Sequence, residues 1–142
     1  MKALLAALSL SFVIAGCTAE SAESAEAANT GEAKLYSVLY YADWCPSCKL
    51  LDPAIADARK MAKLDREQVL FVRLDLTNDN TRAQSKMLAN ALGLGEHFKM
   101  NAGKTGHALL IDAETLEVRS MLTKKMTAEA IAMTIKAGLA YE

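Results

Sequence analysis

The sequence predicts a single α/β domain in which a mixed central sheet carries helices on both faces, in the order βαβαββα. The domain opens with a buried strand, a helix and a second buried strand, which indicates a parallel pair joined by a right-handed crossover. Two further apolar runs around a short turn indicate an antiparallel hairpin, and an amphipathic helix follows. The 142 residues are enough for one such domain but not for two.

Short apolar runs predict the strands, and longer patterns with apolar residues at steps of three and four predict the helices. The predicted strands are residues 35–42, 69–76, 107–112 and 116–122. The first helix is predicted from Cys48, Leu51, Ile55, Ala58, Met61 and Ala62. The second is predicted from Ala83, Met87, Leu88, Ala91 and Leu92, with a stop at Gly93. The last has Thr127 as its N-cap and Ile131, Ile135 and Leu139 on its buried face.

Residues 1–16 have the pattern of a secretory signal peptide. The positive start, Met1-Lys2, precedes an apolar run over residues 3–16, which is shorter than the roughly 20 residues of a membrane-spanning helix. The run ends in "VIAGC", which resembles the bacterial lipobox and predicts cleavage before Cys17 and lipidation of that cysteine. Ordinary cleavage nearby and an uncleaved anchor are the alternatives.

Residues 17–34 predict a tether between a membrane and the domain formed by residues 35–142. The tether consists mainly of Ala, Glu and Ser, and it has too little apolar surface to offset the entropy of ordering. We therefore expect a protein anchored to a bacterial membrane and facing the periplasm or the cell exterior. Thr18 stands where enteric bacteria use aspartate for inner-membrane retention, which favours the outer membrane.

The charge of the chain gives no reason to expect nucleic acid as a partner. The formal net charge is −1, and no basic tract occurs.

The most informative stretch is "ADWCPSCKLLDP", residues 42–53, in which two cysteines directly follow the first predicted strand. If Cys17 carries lipid, Cys45 and Cys48 are the two cysteines that remain. This spacing occurs in redox pairs, in static disulfides and in half of many zinc sites. A static disulfide would close too small a loop to add much stability.

The element order and the wording "YADWCPSCK" resemble the thioredoxin fold over nearly all of residues 35–142. Trp44 directly precedes the first cysteine, and Pro53 stands eight residues after Cys45, where thioredoxins carry a helix-kinking proline. The wording is most similar to periplasmic thioredoxin-like domains of thiol:disulfide interchange proteins. The resemblance implies a redox-active Cys45–Cys48 disulfide that exchanges with protein thiols and disulfides, in a monomer that needs no cofactor.

Within this frame, the two cysteines have different predicted roles. Cys45 at a helix start is expected to be a partly exposed thiolate, because the free N–H groups and the helix dipole favour an anion. Cys48, one turn later on the core face, is expected to resolve the mixed disulfide. The expected substrate groove consists of Trp44, Pro46, Thr105 and Gly106. Residues 93–106 are expected to be a loop at its border.

The sequence departs from the thioredoxin pattern at the position of the cis-proline. Its two prolines are Pro46 and Pro53, so the alignment places Gly106 there, with His107 next to it. A glycine would let a metal approach, which leaves open a copper- or zinc-handling protein that uses Cys45 and Cys48 with or without His107. Strand alternation argues against His107 as a ligand.

A second departure concerns the proton of Cys48. Thioredoxins often hold a buried acid six residues before the first cysteine, and here that residue is Leu39. Water or Glu117 would then have to accept the proton. A redox-inert interaction module is the third possible function, and the sequence does not distinguish oxidase, reductase and isomerase.

Overall fold

The computed structural model describes residues 33–64 and 68–140, which form a four-stranded mixed sheet with helices on both faces. The strands are β1 (Leu35–Tyr41), β2 (Val69–Asp75), β3 (His107–Asp112) and β4 (Val118–Thr123). The helices are α1 (Pro46–Met61), α2 (Asp79–Ala91), α3 (Gly95–Asn101) and α4 (Ala128–Leu139). The predicted fold class is confirmed, and α3 is an addition to the predicted order.

The strand order in the sheet is β2-β1-β3-β4. Strand β1 pairs in parallel with β2 and antiparallel with β3, and β3 forms the predicted hairpin with β4. Tyr41 pairs with Asp75, while Tyr40 pairs with His107. The ends of β1 and β2 and the start of β3 therefore meet at one edge of the sheet, where α1 also begins.

The core has two layers because alternate residues of β1 face opposite sides of the sheet. Leu35 and Leu39 pack with α1 and α4 on one face. Tyr36, Val38 and Tyr40 pack with α2 and α3 on the other. Among the described residues, no helix combines the length and apolar content needed to cross a membrane.

The predicted buried face is confirmed for most of α1. Cys48, Leu51, Ile55 and Ala58 are buried, whereas Met61 is half exposed at the last turn. In α4, the Thr127 side chain caps the helix by accepting from the N–H of Ala130, as predicted for this N-cap, and the buried face begins at Ile131.

The predicted buried face of α2 is wrong. Ser85 and Ala89 face the sheet, while Met87 is 72% exposed and Leu88 is exposed as well. The small side chains allow the helix to approach the sheet closely, and the Ser85 hydroxyl donates to the carbonyl of Asp75 at 2.9 Å. This contact with β2 fixes which face of α2 points to the sheet. The spacing of apolar residues does not indicate such a contact.

The predicted loop over residues 93–106 contains helix α3, so that expectation is partly wrong. Leu94 and Phe98 are buried against the sheet and hold this short helix. The Nε2 atom of His97 lies 2.8 Å from the carbonyl oxygen of Leu116, which joins α3 to the β3–β4 turn. Only the last residues before β3 remain as a loop beside the cysteines.

The predicted signal peptide (residues 1–16), the lipidation site Cys17 and most of the predicted tether lie outside the described residues. These assignments stay predictions.

Candidate active site

Cys45 is the N-cap of α1. Its backbone is extended (φ −88°, ψ 111°), and its Sγ accepts the N–H of Cys48 at 3.3 Å. Pro46 occupies the first turn, where its missing N–H leaves no helical hydrogen bond unmade. The sulfur of Cys45 therefore takes the place that a capping oxygen usually takes, among N–H groups that favour negative charge.

Cys45 is less exposed than predicted, at 5%. It packs with Ala42 and Cys48, and the loop before β3 lies against its sulfur. The expectation of a partly exposed sulfur is wrong because this loop approaches closely in the absence of a side chain at Gly106.

The surroundings of Cys45 favour its thiolate. Burial acts to raise the pKa of Cys45. Hydrogen bonds from the side chains of Cys48 and Thr105, and from the backbone N–H groups of Cys48 and Ser47, outweigh burial and lower the pKa below its ordinary value. The predicted direction of the shift is thus present in a sulfur that is almost fully covered.

Cys48 lies one turn further on and is fully buried, as predicted. Its one S–H proton has two acceptors within reach, the Cys45 sulfur and the carbonyl oxygen of Tyr40, which lies 3.7 Å from Sγ. Burial and the adjacent Cys45 raise the pKa of Cys48, although the backbone N–H groups of Ala42 and Gly106 act in the opposite direction. Both cysteines are free thiols in the structure, and their pKa values move apart.

The loop of Thr105 and Gly106 closes the other side of the site. Gly106 has φ +82°, and a Cβ built on it would lie 2.6 Å from Cβ of Ser47 and 3.2 Å from Sγ of Cys45. Its N–H donates to the carbonyl oxygen of Tyr40 at 3.0 Å. The sequence left open that a metal could approach more easily past this glycine, but in the structure the loop backbone lies against the Cys45 sulfur.

His107 does not join the cysteines. Its side chain is buried on the α2/α3 face and stacks on Tyr40, with ring centroids 5.0 Å apart. Burial and the charge of Lys104 lower the pKa of His107. Within residues 33–64 and 68–140, no three His, Cys, Asp or Glu side chains are grouped to hold a metal ion, so the proposed third ligand is not in place.

Trp44 is held at the rim by a residue that the sequence analysis missed. Its indole Nε1 donates to the carbonyl oxygen of Thr77 at 3.1 Å, and the Thr77 hydroxyl accepts the N–H of Asp43 at 3.0 Å. The N–H of Thr77 in turn donates to Asp75 at 2.8 Å. The polar segment that follows β2 could have indicated this contact. The parallel strands β1 and β2 end on the same side of the sheet, so the residues that follow them lie close together.

The position of the thioredoxin acid is occupied by an apolar core residue. Leu39 is buried in the α1/α4 layer. Glu117, considered above as an alternative proton acceptor, is exposed beside Asp112 at the opposite end of β3. A strand of this length spans about 15–20 Å, so Glu117 is too distant to accept the proton of Cys48.

Comparisons with known proteins support the fold described above. The family model described as Thioredoxin matches residues 18–90. No curated protein matches the chain in sequence. A thiol:disulfide interchange protein of the thioredoxin family from Chlorobium tepidum is 20% identical, with a TM-score of 0.51 over 77% of this chain and 82% of that chain.

Two further solved structures are similar at lower scores. StoA from Bacillus subtilis is 17% identical, with a TM-score of 0.49 over 74% of this chain and 84% of its own. A disulphide isomerase from Xylella fastidiosa is 19% identical, with a TM-score of 0.47 over 92% of this chain and 98% of its own. At such identities, likeness concerns the fold.

Proposed function

This chain belongs to the thioredoxin family, and we propose on that premise that it is a membrane-tethered, extracytoplasmic thiol:disulfide oxidoreductase. In this proposal Cys45 is the nucleophile and Cys48 is the resolving thiol. The partners are thiols and disulfides of other proteins, the acting unit is a monomer, and no prosthetic group takes part.

The observation that carries the proposal is the divergence of the two thiols. The pKa of Cys45 is lowered and that of Cys48 is raised, although the residues are one helical turn apart. A thiol–disulfide exchange needs one sulfur that attacks as the thiolate and a second that remains protonated until the mixed disulfide has formed. The geometry has the same asymmetry, because the Cys45 sulfur caps α1 while Cys48 is fully buried.

The exchange proceeds in two balanced steps. The Cys45 thiolate attacks one sulfur of a partner disulfide, and the other partner sulfur leaves with the electron pair and takes a proton. Cys48 then loses its proton and attacks the Cys45 sulfur, which breaks the mixed disulfide and releases the second partner thiol. The partner gains two electrons and two protons, and the chain ends with a Cys45–Cys48 disulfide. The reverse sequence oxidises a partner dithiol.

The groove proposed for the partner runs between Trp44 and the loop before β3. Trp44 is 61% exposed and Pro46 is exposed, so both offer apolar surface beside the covered sulfur. The backbone of Thr105 and Gly106 borders the same sulfur. An extended partner segment would bind along this backbone, as the family resemblance implies, and bring its disulfide to Cys45.

Two experiments with the full chain test the chemistry. Equilibration against a glutathione series should give a reversible two-electron transition, and its midpoint gives the direction of exchange. A Cys48→Ser variant should accumulate mixed disulfides with partner proteins in intact cells, while Cys45→Ser, the matched control, should capture none. Equal capture by both variants, or by neither, would contradict the proposed roles.

The reactivity of Cys45 gives an independent test. The pH midpoint for alkylation of Cys45 by iodoacetamide should lie below that of free cysteine, because the pKa of Cys45 is lowered. A Cys17→Ser/Cys48→Ser chain leaves Cys45 as its one cysteine, and a midpoint, unlike an absolute rate, does not depend on how well the sulfur is covered. A midpoint at or above that of free cysteine would remove the basis for nucleophilic attack.

The membrane anchor is a separate proposal that rests on the sequence of residues 1–17. Acyl chains on Cys17 would hold the domain at a bacterial membrane, facing the periplasm from the outer membrane or facing the exterior. Cells fed radiolabelled palmitate should label the native chain and not a Cys17→Ser variant, and that variant should leave the membrane fraction. Unchanged fractionation would contradict lipid anchoring.

A further inference from the structure

Gly106 presents a backbone N–H to the centre of the site, where a proline has none. The N–H donates to the Tyr40 carbonyl oxygen at 3.0 Å, and the same oxygen lies 3.7 Å from the Sγ of Cys48. Both groups thus lie within reach of one acceptor, and the Gly106 N–H is itself within hydrogen-bonding range of the buried sulfur. The Ala42 N–H also acts on that sulfur.

Loss of the Cys48 proton changes the hydrogen bonds that its sulfur can make. The thiolate can no longer donate to Tyr40, and an anion facing a carbonyl oxygen is repelled by it. The sulfur is fully buried, so water does not reach it freely. Leu39 supplies no carboxyl group on this side of the sheet. A thiolate at Cys48 therefore depends on the N–H groups that surround it.

We propose that the backbone N–H of Gly106, together with that of Ala42, stabilises the Cys48 thiolate during the resolving step. The proton passes to the partner thiolate that leaves in the first step, and the Gly106 N–H turns from the Tyr40 carbonyl to the sulfur anion. The anion then attacks Cys45 as described above. This inference rests on the proposed function and names the group that makes its second step possible.

Position 106 needs a residue that tolerates a positive φ without a side chain and that also has a backbone N–H, and glycine is that residue. The φ of +82° disfavours every L side chain, and a Cβ would clash with Cβ of Ser47. A proline would remove the donor as well. The lack of a cis-proline and the lack of a buried acid are thus connected, because the glycine N–H stabilises the Cys48 anion at a site where no carboxylate accepts its proton.

The first test leaves the backbone unaltered. In a ¹⁵N-labelled full chain with Cys45→Ser, which keeps a capping atom at the start of α1, Cys48 is titrated through its ¹³Cβ resonance. The Gly106 amide proton should move downfield with the same midpoint, as should that of Ala42. The Ala113 amide, which donates to the Lys34 carbonyl at the far end of β3, should stay constant. A Gly106 amide that is insensitive to the titration of Cys48 would overturn the inference.

The second test removes the donor. An amide-to-ester replacement at Gly106 deletes the N–H and adds no side chain. In the Cys45→Ser chain it should lower the reaction rate of Cys48 with a disulfide reagent about tenfold at fixed pH, the effect of losing one hydrogen bond to an anion. The same replacement at Ala113 is the control. Equal rates at Gly106 and Ala113 would overturn the inference.

The two proposals fail in different ways. If the chain with both cysteines exchanges no disulfide at all, the proposed function is wrong. If that chain exchanges disulfides and the Gly106 ester resolves mixed disulfides as fast as the native backbone, only the role of the N–H is wrong.

Discussion

The two ends of strand β3 differ in how completely their polar groups are hydrogen-bonded. At its start, Thr105 and Gly106 lie against buried sulfur, and the Nε2 of His107 makes no hydrogen bond within the described part of the chain. The backbone there adopts φ +82° at a position that excludes any side chain. At this end of β3, free thiols and the unpaired Nε2 of His107 are buried.

The other end of β3 is fully paired around one carboxylate. Oδ1 of Asp112 accepts the N–H groups of Glu114 and Thr115 at 2.9 and 2.8 Å, and Oδ2 accepts from Arg119 at 2.9 Å. These bonds hold the pKa of Asp112 down at about 2, chiefly through the Thr115 N–H and the Arg119 guanidinium. The comparison teaches that one end contributes stability, while the other holds reactive groups at a cost to stability.

The largest expected effect of a substitution on stability is at Gly106, at the start of β3. Gly106→Ala should lower the free energy of unfolding by about 3 kcal/mol, because it combines a strained φ with a clash against Ser47. It should also slow disulfide exchange. Gly103→Ala in the same loop, where a Cβ meets nothing within 4 Å, is the control and should change stability by less than about 0.5 kcal/mol. Urea unfolding measures both, and equal effects would contradict the packing described here.

The next largest effect on stability is expected at Asp112, at the other end of β3, which we call the paired end. Asp112→Ala should lower the free energy of unfolding by about 2 kcal/mol, because the N–H groups of Glu114 and Thr115 lose their acceptor. Exchange rates at Cys45 should stay within twofold of the native rate at a temperature where both proteins are folded. A large loss of exchange in the folded variant would show that the two ends are not independent.

The pH dependence of stability sharpens the same contrast. The pKa of Asp112 is lowered from 3.8 to about 2, so its contribution is fully present above about pH 4 and is lost as the pH falls to 2. The stability difference between the native chain and Asp112→Asn should therefore shrink over that range. Urea midpoints at pH 5, 3 and 2 measure it, and a constant difference would mean that the carboxylate does not titrate as described.

The smallest effect concerns the Thr105 hydroxyl. Thr105→Val removes a hydrogen bond that lowers the pKa of Cys45, so alkylation of Cys45 near neutral pH should slow roughly three- to tenfold. Thr115→Val, at the paired end, is the matched control and should leave that rate unchanged. If both variants react at the native rate, the hydroxyl of Thr105 does not assist the thiolate.

The sequence was sufficient where information is local. The strand–helix order, the N-terminal position of Cys45 on α1 and the burial of Cys48 all follow from spacing within a few residues. The face of α2 was predicted wrongly because Ser85, a polar residue, packs inward through a bond to β2. Apolar periodicity cannot detect a buried serine.

The site itself shows the same limit. The substitution of glycine for proline was visible in the sequence, but its consequence depends on contacts of Gly106 with Ser47 and Cys45, which lie about sixty residues away along the chain. The tie between Trp44 and Thr77 is likewise long-range. Such contacts are set by how the strand ends meet, and only the folded chain reveals them.

Trp44 is the single tryptophan of the chain, adjacent to Cys45 and anchored to Thr77 through its indole nitrogen. A fixed and largely solvent-facing indole beside a sulfur that changes oxidation state is a built-in optical probe. A disulfide quenches indole emission, so the fluorescence intensity of the unlabelled protein should follow each round of electron transfer in real time. Redox potentials and partner encounters thus become measurable without chemical modification of either thiol.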